Sequence, residues 1–123
     1  MPILLDTNIL IDHLRGDERA AAFLAKLATK PSASVVTLTE LLAGSRSQRE
    51  DGNIETLARS VNFLSVDDMI ARRAGAFSKH FHASHGLDDL DALIAATAEH
   101  HGLKLATLNV KHFPMLKGLK KAY

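Results

Sequence analysis

The chain is 123 residues long, 46% hydrophobic and 24% charged, and it contains no cysteine. That length fits a single domain over residues 1–123, and the composition is typical of a globular protein, not of a disordered one. The absence of cysteine excludes disulfides, thiolate zinc sites and iron–sulfur clusters. We expect a cytoplasmic location, because the N-terminus lacks the features of a signal peptide and no apolar stretch approaches the roughly 20 residues that span a bilayer.

Positive and negative charges are unevenly distributed along the chain. Residues 1–99 hold ten basic and fourteen acidic side chains, a net charge of −4, whereas residues 100–123 hold five lysines and no acid. A basic C-terminal segment beside an acidic body suits contact with an anionic polymer, although a solubilising terminus has the same composition. Aromatic residues make up only 5%, with no Trp, which is too few for a protein that stacks bases on aromatic platforms.

Strand-like and helix-like segments alternate in the first half of the chain. Apolar and β-branched runs predict two short buried strands, over residues 2–6 and 34–36. Capping and helix-breaking residues predict three helices, one after each strand and one in between. The first helix is expected to start at Thr7 or Asn8 and to end at Gly16. The second runs from Asp17 to about Lys30, and the third from Thr37 or Thr39 to Gly44. The polar stretch 45–53 predicts a loop or an exposed helix start.

The alternation continues in the second half. Residues 54–60 are weakly helical, and strands are predicted over residues 63–66 and 104–108. Capping acids and glycines delimit two helices between these strands. The expected caps are Asp67 and then Asp88 or Asp89, and the expected ends are Gly86 and Gly102. The first of these helices has a buried apolar stripe at helical spacing, formed by Ile70, Ala74, Phe77 and Phe81. A short helix or turn and the basic tail complete the chain.

This order of elements predicts the α/β class, with a mostly parallel central sheet of four to five strands flanked by helices on both faces. In such sheets, ligands bind beyond the carboxyl ends of the strands. Asp6 ends the first strand, and Glu40 lies in the first turns of the helix after the second. Asp91 lies in the first turn of the helix before the last strand. It reaches the same crevice only if the N-terminus of its helix points toward that edge.

Three carboxylates at one edge would repel one another and lose hydration unless a cation neutralised them. The expected ion is Mg²⁺ or Mn²⁺, which takes hard oxygen ligands, keeps several waters and leaves positions for a substrate phosphate. Such an ion activates water for attack on a phosphodiester. Taken singly, Glu40 and Asp91 fit helix caps better than ligands. Asp6 does not, because an apolar strand gains nothing from an unpaired carboxylate.

The seven histidines show no comparable pattern. His80 and His82 form an HxH pair that is compatible with zinc, but no third ligand of fitting spacing follows, and His is favourable at helix C-termini. We therefore expect the histidines to be mostly structural or on the surface. GxSxG, P-loop and GxGxxG motifs do not occur, so acyl transfer and nucleotide binding have no support in the sequence.

Three sequence blocks together form a recognisable pattern. They are LLDTNILID at the start, TLTELLAG in the middle and DALIAATAEHHGLKLATLNVKHF near the end. In this order, over residues 3 to about 116, the chain resembles the PIN domain and, more closely, the VapC toxins of bacterial type II toxin–antitoxin systems. The resemblance implies a PIN-like fold and a Mg²⁺- or Mn²⁺-dependent endoribonuclease. It also implies a homodimer and a VapB-like antitoxin that wraps the toxin and blocks its active site.

The same resemblance assigns roles to particular residues. The metal ligands and catalytic residues that it implies are Asp6, Glu40 and Asp91. We expect Asn8 and Asn109 to support these ligands and Thr107 to help position water or phosphate. Asn109 stands where the family often has a fourth acid, which favours one tightly held ion over two. The implied substrate is RNA of the tRNA or rRNA class, cut to leave 5′-phosphate and 3′-hydroxyl ends. The candidate contacts to the RNA backbone are Arg46, Arg49, Lys111, Lys117, Lys120 and Lys121.

Two other functions stay open at this point. A signalling receiver also has a doubly wound sheet, and Asp67 follows the third predicted strand, where a receiver has its phosphoryl acceptor. The acidic pair that a receiver needs after its first strand is missing. The second alternative is a catalytically silent PIN-like module that binds RNA or a protein, which the presence of all three acids disfavours.

Overall fold

The computed structural model describes residues 2–123, apart from the side chain of His85, and its centre is a four-stranded sheet. The strands are β1 (Ile3–Leu5), β2 (Ser32–Ser34), β3 (Asn62–Leu64) and β4 (Lys104–Ala106). Their order is β3-β2-β1-β4, and every neighbouring pair is parallel. The predicted α/β class and parallel sheet are therefore confirmed, with four strands in the sheet.

Six α-helices and one short 3-10 turn surround the sheet within the described part of the chain. The helices are α1 (Thr7–Leu14), α2 (Glu18–Ala25), α3 (Val35–Ala43), α4 (Gln48–Ala58), α5 (Asp68–His85) and α6 (Asp89–His100), and the 3-10 turn is Val110–His112. Across residues 2–123, none of the helices is both long and apolar enough to cross a membrane.

The core consists of two apolar clusters, because successive strand residues point to opposite faces of a sheet. Leu4 and Leu105 belong to a cluster with residues of α5 and α6. Leu5 and Ala106 belong to a second cluster with residues of α1, α3 and α4. Helices therefore cover both faces, as predicted. The expected stripe on α5 is buried at its first three positions and only partly buried at Phe81.

The boundary between β2 and α3 differs from the prediction. The strand is Ser32–Ser34, and the two β-branched residues Val35 and Val36 lie in the helix. The hydroxyl of Ser34 accepts a hydrogen bond from the Val36 amide at 3.1 Å and caps α3. This cap outweighs the strand preference of two valines, because it satisfies a free N–H group at the helix start. A start at Thr37 or Thr39 is therefore wrong.

Other expected boundaries also shift. Asp6, and not Thr7 or Asn8, caps α1. Helix α2 ends at Ala25 instead of near Lys30. Helix α4 begins at Gln48, so the exposed helix start expected within residues 45–53 is confirmed. By contrast, Asp67 and Asp88 cap α5 and α6 as predicted, and Gly86 ends α5 with a φ of 65°.

The C-terminal segment is not a free basic tail but packs back onto the fold. The Ala122 amide donates to the Thr107 carbonyl at 2.9 Å, which sets Lys121 beside Thr107 in a parallel bridge at the edge of β4. The Tyr123 hydroxyl donates to Asp12 Oδ2 at 2.7 Å, and its ring packs near Phe23. Burial and the Asp12 carboxylate both raise the pKa of Tyr123.

We expect Tyr123→Phe to lower the free energy of unfolding by about 1–2 kcal/mol, because the carboxylate of Asp12 loses its O–H donor while the ring packing is kept. Urea unfolding followed by circular dichroism measures this loss. A double-mutant cycle with Asp12→Ala isolates the contribution of the pair. A coupling energy of zero would contradict this account of the C-terminal interaction.

Candidate active site

The buried carboxylate of Asp6 lies where β1 and β4 end side by side. Asp6 is only 4% exposed. Its Oδ1 accepts from the Thr7 amide at 2.8 Å, which caps α1, and its Oδ2 accepts from the Thr107 hydroxyl at 2.7 Å. The Thr107 hydroxyl accepts in turn from the Asn109 amide at 3.0 Å. Both oxygens of Asp6 are therefore held in place by donors from two separate elements.

Glu40 approaches the same edge from α3. Its Oε1 accepts from the Thr7 hydroxyl at 2.7 Å, and that hydroxyl lies 3.0 Å from the hydroxyl of Thr37. Since Thr7 has one hydroxyl proton and gives it to Glu40, Thr37 is the donor within the threonine pair. Because α3 begins at Val35, Glu40 lies in the second turn, beyond the free N–H groups of the helix start. Glu40 is therefore not a helix cap.

Asp91 lies in the first turn of α6, yet its carboxylate does not cap that helix. The cap is Asp88, whose Oδ1 accepts from the Asp91 amide at 2.7 Å. The Asp91 side chain is thus free to face the other acids, and its Oδ2 lies 3.6 Å from Nδ1 of His112. The N-terminus of α6 therefore does point toward the edge where Asp6 lies, which is the condition that the sequence alone left open.

The surroundings of Asp6 oppose its ionisation. Burial is the largest cause that raises the pKa of its carboxyl group, and the negative charge of Glu40 raises it further. The hydrogen bonds from Thr107 and Thr7 lower it, as does His112. The net direction is upward, so the folded protein holds this carboxylate in its charged form only at a cost.

Asp91 is affected in the same way. Burial first, then the charges of Asp88 and Asp6, raise the pKa of its carboxyl group to about 6, with His112 acting in the opposite direction. Glu40 also contributes to the increase. Asp6, Glu40 and Asp91 therefore act on one another electrostatically, although they come from three different elements. A cation among them would relieve this repulsion.

The chemistry of these oxygen donors fits a hard divalent cation. Among the residues that the structure describes, however, no group of three His, Asp or Glu side chains is already arranged to bind a metal ion. Carboxylate oxygens are the ligands that Mg²⁺ and Mn²⁺ prefer, and Mg²⁺ commonly uses one or two of them and keeps several waters. Asn8, two residues after Asp6, has a buried Oδ1 without a hydrogen-bond partner. A buried acceptor of this kind is suited to a bound water.

The six candidate RNA contacts all lie on exposed residues. Arg46 pairs with Glu50 at 3.4 Å, and with Glu40 it lines a groove of about 470 Å³ between α1, α3 and α4. Lys111 lies in the 3-10 turn at the edge that holds the acids, and Lys121 lies beside Thr107. Of the expected supporting residues, Asn109 contributes its backbone amide, while the residue itself is exposed.

Sequence analysis missed two residues of this site, His112 and Thr37. The sequence predicts that the histidines are mostly structural or on the surface; His112 is half-exposed, but it also lies beside Asp91. Its position directly after the last strand was the available signal, because this is the edge where ligands bind. Thr37 was expected to cap a helix. It is fully buried instead and holds the Thr7 hydroxyl.

The chain is similar to known proteins along almost its whole length. The PIN domain family matches residues 3–115. Ribonuclease VapC19 of Mycobacterium tuberculosis is 42% identical over 124 residues, which cover 98% of each chain. Ribonuclease VapC10 of the same species is 41% identical over 98% of this chain and 92% of its own.

Solved structures agree with these relatives. A toxin–antitoxin complex from Klebsiella pneumoniae contains a chain that superposes with a TM-score of 0.85 at 30% identity, covering 98% of both chains. VapBC-1 from nontypeable Haemophilus influenzae gives a TM-score of 0.78 at 26% identity, covering 99% of this chain and 98% of its own.

In metal-free protein at a pH above 6, we expect Asp91→Asn to raise the melting temperature by about 5 °C or more. The pKa of Asp91 is about 6 in the folded chain and about 4 in an unfolded chain. The native state therefore binds the proton more tightly, and its stability falls as the pH rises from about 4 to 6. Asparagine carries no charge and avoids this loss, so the gain is full above pH 6 and vanishes below about pH 4.

Thermal unfolding in EDTA between pH 4 and 8 measures this gain. Asp51→Asn, on an exposed residue of α4, is the matched control and should show no pH-dependent gain. A gain for Asp91→Asn that stays constant across this pH range would contradict the electrostatic explanation.

Proposed function

The chain belongs to the PIN-domain family, among its VapC ribonucleases, and we propose that Asp6, Glu40 and Asp91 form its divalent-metal centre for RNA cleavage. The protein is an endoribonuclease toxin whose partner is an antitoxin, as in the complexes formed by its structural relatives. We further propose that residues 1–123 act as one nuclease domain and that the toxin is a homodimer. A substrate of the tRNA or rRNA class implies that it acts in the cytoplasm.

The observation that carries the proposal is the mutual electrostatic action of three carboxylates at one sheet edge. Helix capping does not account for Glu40 and Asp91. Asp88 supplies the cap of α6 in place of Asp91, and Glu40 lies past the first turn of α3. Asp6 does cap α1, but it is also buried, and a buried carboxylate is unfavourable without a partner of opposite charge.

Asp6, Glu40 and Asp91 would hold Mg²⁺ or Mn²⁺. When bound, such an ion supplies a Lewis acid and an activated water for phosphodiester hydrolysis. The chain contributes fixed ligand positions: Thr107 and the Thr7 amide immobilise Asp6, while the Thr7 hydroxyl orients Glu40. Fixed ligands lower the reorganisation needed during the reaction. We propose that the free Oδ1 of Asn8 accepts a hydrogen bond from water at this site.

We propose that the centre holds one tightly bound ion. Asn109, at the position where a fourth acid is common in the family, is neutral and lies on an exposed residue. Hydrolysis by attack of water would leave a 5′-phosphate and a 3′-hydroxyl on the products.

The alternatives fit the structure less well. In a receiver domain the strand order is 2-1-3-4-5, with β1 between β2 and β3, whereas here β1 lies between β2 and β4. Asp67 is also engaged as the cap of α5, where it accepts from the Ile70 amide at 2.8 Å. The receiver hypothesis is therefore wrong. A silent binding module would have no use for three repelling acids, which disfavours that function.

We expect purified protein to cut a mixed tRNA and rRNA pool in Mg²⁺ or Mn²⁺ and not in EDTA. Asp6→Asn, Glu40→Gln and Asp91→Asn should each lower the cleavage rate by about 100-fold or more, because loss of a group that merely orients a metal ligand already costs about 10–100-fold. Gel analysis of the fragments and of their end groups measures both rate and chemistry.

The matched controls are Asp51→Asn and Glu55→Gln, two conservative changes at exposed positions of α4, which should retain full activity. Cleavage that persists in EDTA, or in any of the three site variants, would contradict the proposed centre. Absence of cleavage by folded, antitoxin-free protein would favour the silent module.

We propose that the six exposed basic residues named above bind RNA phosphates. Neutralising phosphates releases counterions, so RNA binding should weaken as salt is added. Removing one phosphate-binding side chain should make the slope of log affinity against log salt concentration shallower by about 0.7 to 0.9. We expect this reduction for Lys111→Gln and for Lys121→Gln. Fluorescence anisotropy measures the binding, and both variants also carry Asp6→Asn so that the RNA is not cleaved.

Lys26→Gln is the matched control, because Lys26 lies with Pro2 and Ile3 at the opposite end of β1. This variant should keep the slope of the parent protein. Slopes that stay unchanged in Lys111→Gln and Lys121→Gln would exclude these two residues as phosphate ligands.

A further inference from the structure

We propose that His112 is an additional metal ligand and that its imidazole nitrogen makes the site select Mn²⁺ over Mg²⁺. The inference rests on the proposed function, since it requires that Asp6, Glu40 and Asp91 bind a divalent ion. It goes beyond that function because it adds a nitrogen donor and a preference between the two ions.

The position of His112 is fixed by its neighbours. It ends the 3-10 turn that follows β4, and its amide donates to the Asn109 carbonyl at 3.0 Å. The next residue, Phe113, is 1% exposed and belongs to the core cluster that includes Leu105 of β4. The turn is therefore anchored, and the ring of His112 is held at the carboxyl edge of the sheet, where Asp6 and Asp91 lie.

His112 and Asp91 lie close together without forming a hydrogen bond. Nδ1 of His112 lies 3.6 Å from Oδ2 of Asp91, which is too far for a hydrogen bond. Two adjacent ligand atoms at about 2.1 Å from one octahedral ion lie roughly 3 Å apart. A movement of less than about 1 Å would therefore bring both atoms onto one ion.

His112 interacts electrostatically with Asp6 as well as with Asp91. Its charge affects the carboxyl groups of both Asp6 and Asp91, so it lies within electrostatic range of two proposed ligands. Its side chain is 45% exposed, against 20% for Asp91, which puts the imidazole on the open side of the acid cluster. Within residues 2–123, Asp91 is the one acid whose carboxylate comes within 4 Å of the His112 ring nitrogens, and these nitrogens make no hydrogen bond.

The chemistry of the donor determines which ion benefits. Mg²⁺ is bound by oxygen, whereas imidazole is a good ligand for transition-metal ions. Three carboxylates alone would serve either ion. A neutral imidazole in place of a further carboxylate adds no negative charge to attract Mg²⁺ but supplies a nitrogen that Mn²⁺ accepts. The preference for Mn²⁺ therefore depends on His112, while the basic affinity depends on the acids.

The test measures metal binding by RNA-free protein, with Mn²⁺ titrated by electron paramagnetic resonance and Mg²⁺ added as competitor. We expect His112→Ala to lower the affinity for Mn²⁺ by about 10-fold and to change that for Mg²⁺ by less than about 3-fold. Pulsed measurements on wild-type protein should show ¹⁴N modulation from a directly bound imidazole, which His112→Ala should abolish. His112→Asp should restore the affinity for Mn²⁺ without the ¹⁴N modulation and without the preference for Mn²⁺ over Mg²⁺.

His100→Ala is the matched control. His100 approaches a carboxylate in the same manner, with Nε2 at 3.9 Å from Oδ2 of Asp67, but at the other end of α6. This variant should keep the Mn²⁺ to Mg²⁺ affinity ratio and the ¹⁴N modulation of the wild type. A control that shifts the ratio as much as His112→Ala would overturn the assignment to His112.

The outcomes separate this inference from the proposed function. If Asp91→Asn abolishes Mn²⁺ binding while His112→Ala leaves the affinity ratio unchanged, His112 is not a ligand and the metal centre stands. If His112→Ala weakens both ions equally and wild-type protein shows no ¹⁴N modulation, His112 only pairs with Asp91 and the inference is overturned. If Asp91→Asn leaves Mn²⁺ binding intact, the proposed centre itself is wrong. The pulsed measurement on wild-type protein decides the question even if a variant fails to fold.

Discussion

The carboxylate of Asp6 joins the end of β1, the end of β4 and the start of α1. Burying a carboxylate is unfavourable unless its oxygens are satisfied, and here the Thr7 amide and the Thr107 hydroxyl satisfy one oxygen each. The consequence reaches beyond Asp6. Thr7, the residue that begins α1, passes its hydroxyl proton to Glu40, so the same helix start also orients the second acid. The geometry of the site thus follows from how two strands and one helix meet.

The same arrangement explains why the site is electrostatically unfavourable without an ion. Hydrogen bonds lower the pKa of Asp6, but burial outweighs them, and Asp91 experiences both burial and the charge of Asp6. A fold selected for stability alone would replace such acids with neutral residues. Perturbed acids that face one another in this way are characteristic of functional sites. The sequence motifs and the electrostatics of the fold therefore support the proposed centre independently of each other.

Much of this could be predicted from the sequence, because the informative signals are local. An acid at the end of an apolar run identified Asp6, and the alternation of strands and helices indicated the parallel sheet. The start of α3 could not be predicted from propensity, since a single Ser34 hydroxyl decides it against two valines. His112 was missed because its partner Asp91 lies 21 residues earlier, on a different element. The docking of Tyr123 on Asp12 spans 111 residues, a distance that no local pattern encodes.

The hydrogen bond between Thr107 and Asp6 also has a consequence for the timing of activity during synthesis. These partners are 101 residues apart, and β4, which carries Thr107 to the site, is the last strand of the sheet. Contacts of such long separation form late, because the chain between them must first be ordered. On the ribosome, the second oxygen of Asp6 stays without its Thr107 donor until the 101 residues that separate the two have been synthesised. The nascent toxin therefore cannot complete this pair of hydrogen bonds to Asp6 until β4 has been translated.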